Sequence, residues 1–105
     1  MKVADLGQRR FDPGKLQKLN LFETERFFLD VYCLEPGQLQ KAHAHAGSDK
    51  VYAVLEGSIH ARVGGEEQEL HEGQAVLAPA GSEHGIENRS GARAAVLVLM
   101  APRPL

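Results

Sequence analysis

An all-β sandwich or barrel is the fold class this sequence predicts, and three observations carry it. Short apolar or alternating runs recur along the chain, from Arg26–Leu34 to Ala94–Ala101. Turn residues punctuate them closely: Glu35-Pro36-Gly37, Glu56-Gly57, Gly64-Gly65, Gly73, Pro79 and Ser90-Gly91. No stretch of helical period lies between these turns, which is the pattern of short paired strands.

The elements follow in order. Asp12-Pro13-Gly14 reads as a turn. Beyond it, Leu16, Leu19 and Leu21 suit neither period well, so this part is read as extended or irregular. In Arg26–Leu34, Phe27, Leu29, Val31 and Cys33 alternate with Phe28, Asp30, Tyr32 and Leu34. That is a strand, apolar on much of both faces. Val51–Leu55 is an apolar run closed by Glu56-Gly57. Ile59, Ala61 and Val63 alternate with Ser58, His60 and Arg62 up to the Gly64-Gly65 hairpin signal. Glu66–Leu70 is a short polar strand, and Ala75–Ala78 a short apolar one stopped by Pro79. Ile86 and Asn88 lead into the Ser90-Gly91 turn, and Ala94–Ala101 is the last strand.

Composition narrows the function. The 105 residues suit one domain, read as an arm over 1–25 and a barrel over 26–101. Twelve Lys and Arg against 14 Asp and Glu give a net charge of −2, so no nucleic-acid partner is expected. No apolar run approaches the length of a membrane helix, and no membrane association is expected. Cys33 is the lone cysteine, and the first residues lack the apolar segment of a secretory leader. Both suit a cytoplasmic protein.

The chemistry lies in the histidines. His43-Ala44-His45 places two imidazoles at i and i+2, on one face if the segment is a strand. Such a pair can grip one divalent metal if a third ligand comes from elsewhere. His84, just past the Pro79-Ala80-Gly81-Ser82 turn, is the best candidate. Three neutral imidazoles suit Fe, Mn, Ni, Cu or Zn and leave a position for water or substrate. An isolated pair of surface histidines is common, so the surroundings decide.

Those surroundings resemble the two signature motifs of the cupin superfamily. The first is carried by Gly37, His43, His45 and the Tyr52-Ala53-Val54-Leu55-Glu56-Gly57 ending. The second is carried by Gly73, Pro79, Gly81, His84 and Asn88. The resemblance covers about residues 26–101 and implies an antiparallel jelly-roll β-barrel with an N-terminal extended segment. It places His43, His45 and His84 on metal-ligand positions. It places Gly37, Gly57, Gly73 and Gly81 on turns that need positive φ or close approach. The implied cofactor is one divalent transition metal: Fe, Mn, Ni or Zn.

One departure matters. The family's usual glutamate ligand falls here on Lys50, whose ammonium has no lone pair and repels a dication. Asp49, one residue earlier, is the nearest carboxylate. A one-residue slip turns a strand side chain to the opposite face, so Asp49 ligates only if the Ala46-Gly47-Ser48 loop bends. The plainer reading of Asp49 is a solvated loop residue. Lys50 and Tyr52 share parity and are the candidate catalytic residues. The plainer readings are a salt bridge from Lys50 to Glu56 or another carboxylate, and a packed wall position for Tyr52. His60 and His71 read as surface histidines, Cys33 as a small buried hydrophobe, and Asn88 as a turn residue.

The resemblance therefore implies a metal-dependent dioxygenase or isomerase acting on a small anionic or phenolic metabolite. The alternative is a non-catalytic binding or sensing barrel in which any metal is structural. The doubly apolar strand Arg26–Leu34 needs cover on its second face. A second copy, giving a homodimer that uses the N-terminal segment, is the simplest cover.

Overall fold

The structure, a computed structural model, describes residues 1–104. It holds nine strands: β1 Gln17–Glu23, β2 Phe28–Leu34, β3 Leu39–His43, β4 Asp49–Glu56, β5 Ser58–Val63, β6 Glu66–His71, β7 Ala75–Ala78, β8 His84–Glu87 and β9 Ala94–Ala101. A five-stranded sheet runs β1-β2-β9-β4-β7, and a four-stranded sheet runs β3-β8-β5-β6. Every pairing is antiparallel. This is the all-β jelly roll expected, with no helix among the described residues. The segment around Leu16–Leu21, ambiguous in period, contributes the edge strand β1, with Leu19 buried opposite Val31.

Alternation sorts the side chains. From the five-stranded sheet, Tyr32, Leu34, Tyr52, Val54, Ala94, Val96 and Val98 face inward. They meet Ile59, Ala61, Leu70 and Ile86 of the other sheet. Burial of this apolar set is the main favourable term holding the sheets together. Four turns are made by Gly37, Gly57, Gly73 and Gly81, with φ of 85°, 75°, 86° and 85°. At Gly57 a Cβ would also lie 2.5 Å from the Arg93 carbonyl oxygen, so no side chain fits there.

The outer face of the five-stranded sheet is covered in part by the chain's own arm. Leu19, Val31, Cys33 and Ala95 form a second buried cluster, against which Phe11 packs. The Arg93 guanidinium lies 4.4 Å from the Phe11 ring centroid, a cation–π contact that pins the arm. Arg9 Nε bonds Glu56 Oε1 at 3.0 Å. Glu56 is available because the ladder shifts register between Val54 and Glu56, setting Glu56 opposite outward-facing Ala95. Beyond the arm, Leu29, Leu99, Val51 and Leu77 form one cross-strand row on this face, and Leu77 is 56% exposed.

Candidate metal centre

The site begins with a bulge. β3 and β8 pair Gln40 with Ile86 and then His43 with His84, so Lys41 and Ala42 together oppose the single Gly85. The chains are close here: a Cβ on Gly85 would lie 2.7 Å from the Gln40 carbonyl oxygen. Glycine inside a strand is what lets β3 bend and set His43 beside His84. His45 follows two residues past β3, and its carbonyl accepts the Gly81 N–H at 2.8 Å. That bond ties the His45 loop to the turn that delivers His84.

The three rings meet. Centroid separations are 4.7 Å for His43–His45, 4.5 Å for His43–His84 and 5.7 Å for His45–His84. One ring nitrogen from each lies within 4.8 Å of the others, so all three can reach a single ion. The hydrogen bonds fix which nitrogens are free. His43 Nδ1 donates to the Lys41 carbonyl at 2.8 Å, and His84 Nδ1 donates to the Ser82 carbonyl at 3.0 Å. In the neutral tautomer so defined, each Nε2 carries its lone pair. His84 Nε2 is the buried side-chain nitrogen left without a hydrogen-bond partner among the described residues. A buried acceptor with nothing to accept is costly unless something else binds it. Burial lowers the His84 pKa, and burial followed by the charge of His43 lowers that of His45. Both shifts favour the neutral form that ligates a cation. The donor set therefore fits a divalent transition metal.

Lys50 is inside the barrel. It is 2% exposed and lies in one row with Phe28, Met100 and Ala78. The salt bridge to Glu56 expected from sequence does not form, because the bulge turns Glu56 outward to Arg9. Lys50 makes no ion pair among the described residues. Its Nζ donates to Gln40 Oε1 at 3.2 Å and sits over the rings of Tyr52 and Tyr32, at 5.2 and 5.7 Å from their centroids. Burial, then the like charge of Lys18, lowers its pKa to about 8, with Asp30 opposing.

Tyr52 shares the inward face with Lys50, as its parity predicts, and its hydroxyl donates to the same Gln40 oxygen at 2.6 Å. Burial pushes the Tyr52 pKa up, and that of Tyr32 up to about 12, so both stay neutral phenols. Asp49 faces away, and its Oδ1 accepts the Ala80 N–H at 2.9 Å. It braces the turn before His84 and stands outside the imidazole cluster. His60 points outward to Glu67 and Glu69, and His71 is exposed at the end of β6. Cys33 is buried as a small apolar residue. Asn88 is buried and closes the turn through bonds to Leu34, Ser90 and Ala92.

Sequence reasoning missed Gln40, Tyr32 and Gly85. Gln40 joins Lys50 to Tyr52, and its Nε2 reaches the Tyr32 hydroxyl at 3.5 Å. The glycine between His84 and Ile86 was the readable signal, since a strand glycine marks a bulge or a close approach. His43, His45 and Lys50 line a mouth of about 480 Å³ between the two sheets.

Residues 30–100 match the cupin domain family. The chain belongs to the cupin family. Among relatives of this cupin, the tetracenomycin polyketide synthase protein TcmJ of Streptomyces glaucescens is 40% identical over 80 residues. That match takes in 73% of this chain and 54% of TcmJ, so the chain spans about half the relative's length. The crystal structure of TT1209 from Thermus thermophilus superposes with a TM-score of 0.96 at 50% identity, over 99% of this chain and all (100%) of that one. A cupin-superfamily sugar phosphate isomerase from Silicibacter pomeroyi superposes with a TM-score of 0.78 at 27% identity, over 87% of this cupin and 62% of that chain.

Proposed function

We propose that this cupin is a divalent-metal-dependent enzyme that oxygenates or isomerises a small anionic or phenolic metabolite. One observation carries the reading: three imidazole nitrogens converge, two of them on residues that line the mouth, and the buried Nε2 of His84 has no partner among the described residues. His43, His45 and His84 would hold the ion. A bound metal of this type acts as a Lewis acid on a coordinated oxygen, or with iron supports oxygen chemistry. No carboxylate joins the imidazoles among the described residues, so the site would keep the ion's full charge and favour anionic substrates. The Ser82 and Lys41 carbonyls keep two rings in the ligating tautomer. Gln40 holds Tyr52 and Lys50 in place, and the Lys50 ammonium, which lines the mouth, can offset negative charge.

A second reading draws on Lys50 standing where the family places a carboxylate ligand. On that reading the barrel binds or senses a small molecule, and the metal is structural. Oxygen uptake by the iron-loaded protein, and proton exchange by the zinc- or manganese-loaded protein, decide between them across a panel of small acids and phenols. Turnover of any panel member supports the enzyme. A metal-dependent rise in melting temperature with no turnover supports the binding barrel.

The cover of the outer sheet face belongs to the same proposal. The row Leu29, Leu99, Val51 and Leu77 continues the apolar cluster under the arm, and a second copy would bury it in a homodimer. A monomer by light scattering at micromolar concentration would exclude this. A cytoplasmic location accords with the buried free thiol of Cys33. No helix among the described residues is long and apolar enough to cross a membrane.

A further inference from the structure

The mouth carries positive charge that the imidazole site does not need. Lys18, Lys41 and Lys50 line it together with His43 and His45, and no carboxylate among the described residues lines it. The whole chain has more acidic than basic residues, 14 against 12, so this local excess is not a reflection of composition. Lys50 is a buried ammonium with three donors, of which one is used, on the neutral Gln40 oxygen. Lys18 reaches the same place from the rim of β1, with its Nζ 5.1 Å from the Tyr32 ring centroid. Two ammonium groups thus approach one phenol ring, at 5.1 and 5.7 Å. The nearby carboxylate is Asp30, which accepts from Asn20 Nδ2 at 2.8 Å and forms no ion pair with either lysine. Leaving a buried charge with unused donors is costly, and a ligand that fills them recovers that cost.

We propose that Lys50 and Lys18 form an anion subsite beside the three-histidine site, built for a carboxylate on the substrate. Lys50 would hold the carboxylate from inside the barrel and Lys18 from the mouth, over the Tyr32 ring. Carboxylate is favoured over phosphate because the lining contains no arginine fork and no glycine-rich backbone nest. This deepens the reading of a site for small anions, but the lysine pair acts whether or not metal is bound.

Malonate tests it, with neutral malonamide as control, by calorimetry on metal-stripped protein at low and moderate salt. Expected are malonate binding that weakens with salt, no malonamide binding, about tenfold weaker binding in Lys50→Met and about threefold in Lys18→Gln. Asp49→Asn should bind like wild type. Absence of malonate binding to wild type, or equal affinity in wild type and Lys18→Gln, overturns the subsite. Lys18 is exposed, so Lys18→Gln tests the subsite without disturbing the barrel interior. A repeat with zinc-loaded protein separates the two ideas. Tighter binding there supports both, and unchanged binding supports the lysine pair while counting against the metal reading.

Discussion

The barrel interior has two halves. At the closed half, inward positions are apolar: Leu34, Val54, Ala94 and Val96 meet Ile59 and Leu70. Toward the mouth, β4 carries Tyr52 and Lys50, and β3 and β8 carry His43 and His84. The first half is held by burial of surface that water does not want. The second is held by a few hydrogen bonds, and it leaves His84 Nε2 and two Lys50 donors unused. Stability therefore resides in the first half and is given up in the second. One half should lose stability on truncation, and the other should gain stability when its polar groups are removed.

The largest expected effect tests the closed half. Ile59 is fully buried, and Ile59→Ala should cost about 3 kcal/mol in urea denaturation. A cost below about 1 kcal/mol would mean the apolar half is not the anchor. Next is the bulge. Gly85→Ala pushes a methyl against the Gln40 carbonyl, so it should cost about 2 kcal/mol and weaken zinc binding in a chelator competition. Native zinc affinity in that variant would show that the bulge does not set the histidines.

The mouth has the opposite sign. Lys50→Met, in metal-free protein at neutral pH, should raise stability by about 1–3 kcal/mol. The folded-state pKa of about 8 lies below the ordinary lysine value of 10.5, so between them the unfolded chain binds more protons. Wild-type stability should therefore rise from pH 8 toward about pH 10 relative to the variant, and the variant's advantage should shrink over that window. Comparing the two proteins cancels the titration of Tyr32, which acts above that range. A constant difference across the window would place Lys50 in water. The smallest effect is on the arm: Arg9→Ala breaks a half-exposed ion pair to Glu56 and should cost about 0.5 kcal/mol.

The two halves also differ in how far the sequence discloses them. In the closed half, alternation in β4, β5 and β9 is enough, because an apolar residue every second position has only one place to go. The four turn glycines were legible too, and all adopt positive φ. At the mouth, local pattern runs out. The pairing of His43 with His84 depends on a bulge that no period reports, and the motif resemblance pointed to it instead. The sequence offered Glu56 or another carboxylate as a partner for Lys50, but a second bulge sets Glu56 on the outer face. β1 was obscure because a register shift between Asn20 and Phe22 breaks its alternation. Bulges are where period-two reasoning fails, and here they stand where the site is assembled.

His43, His45 and His84 are expected to hold one divalent metal without a carboxylate. Elemental mass spectrometry on tag-free protein, reconstituted near neutral pH, tests it directly. One equivalent of a transition metal per chain is expected, retained in Asp49→Asn and lost in His45→Ala and His84→Ala. No metal in the wild type, or full metal content in His84→Ala, would contradict it.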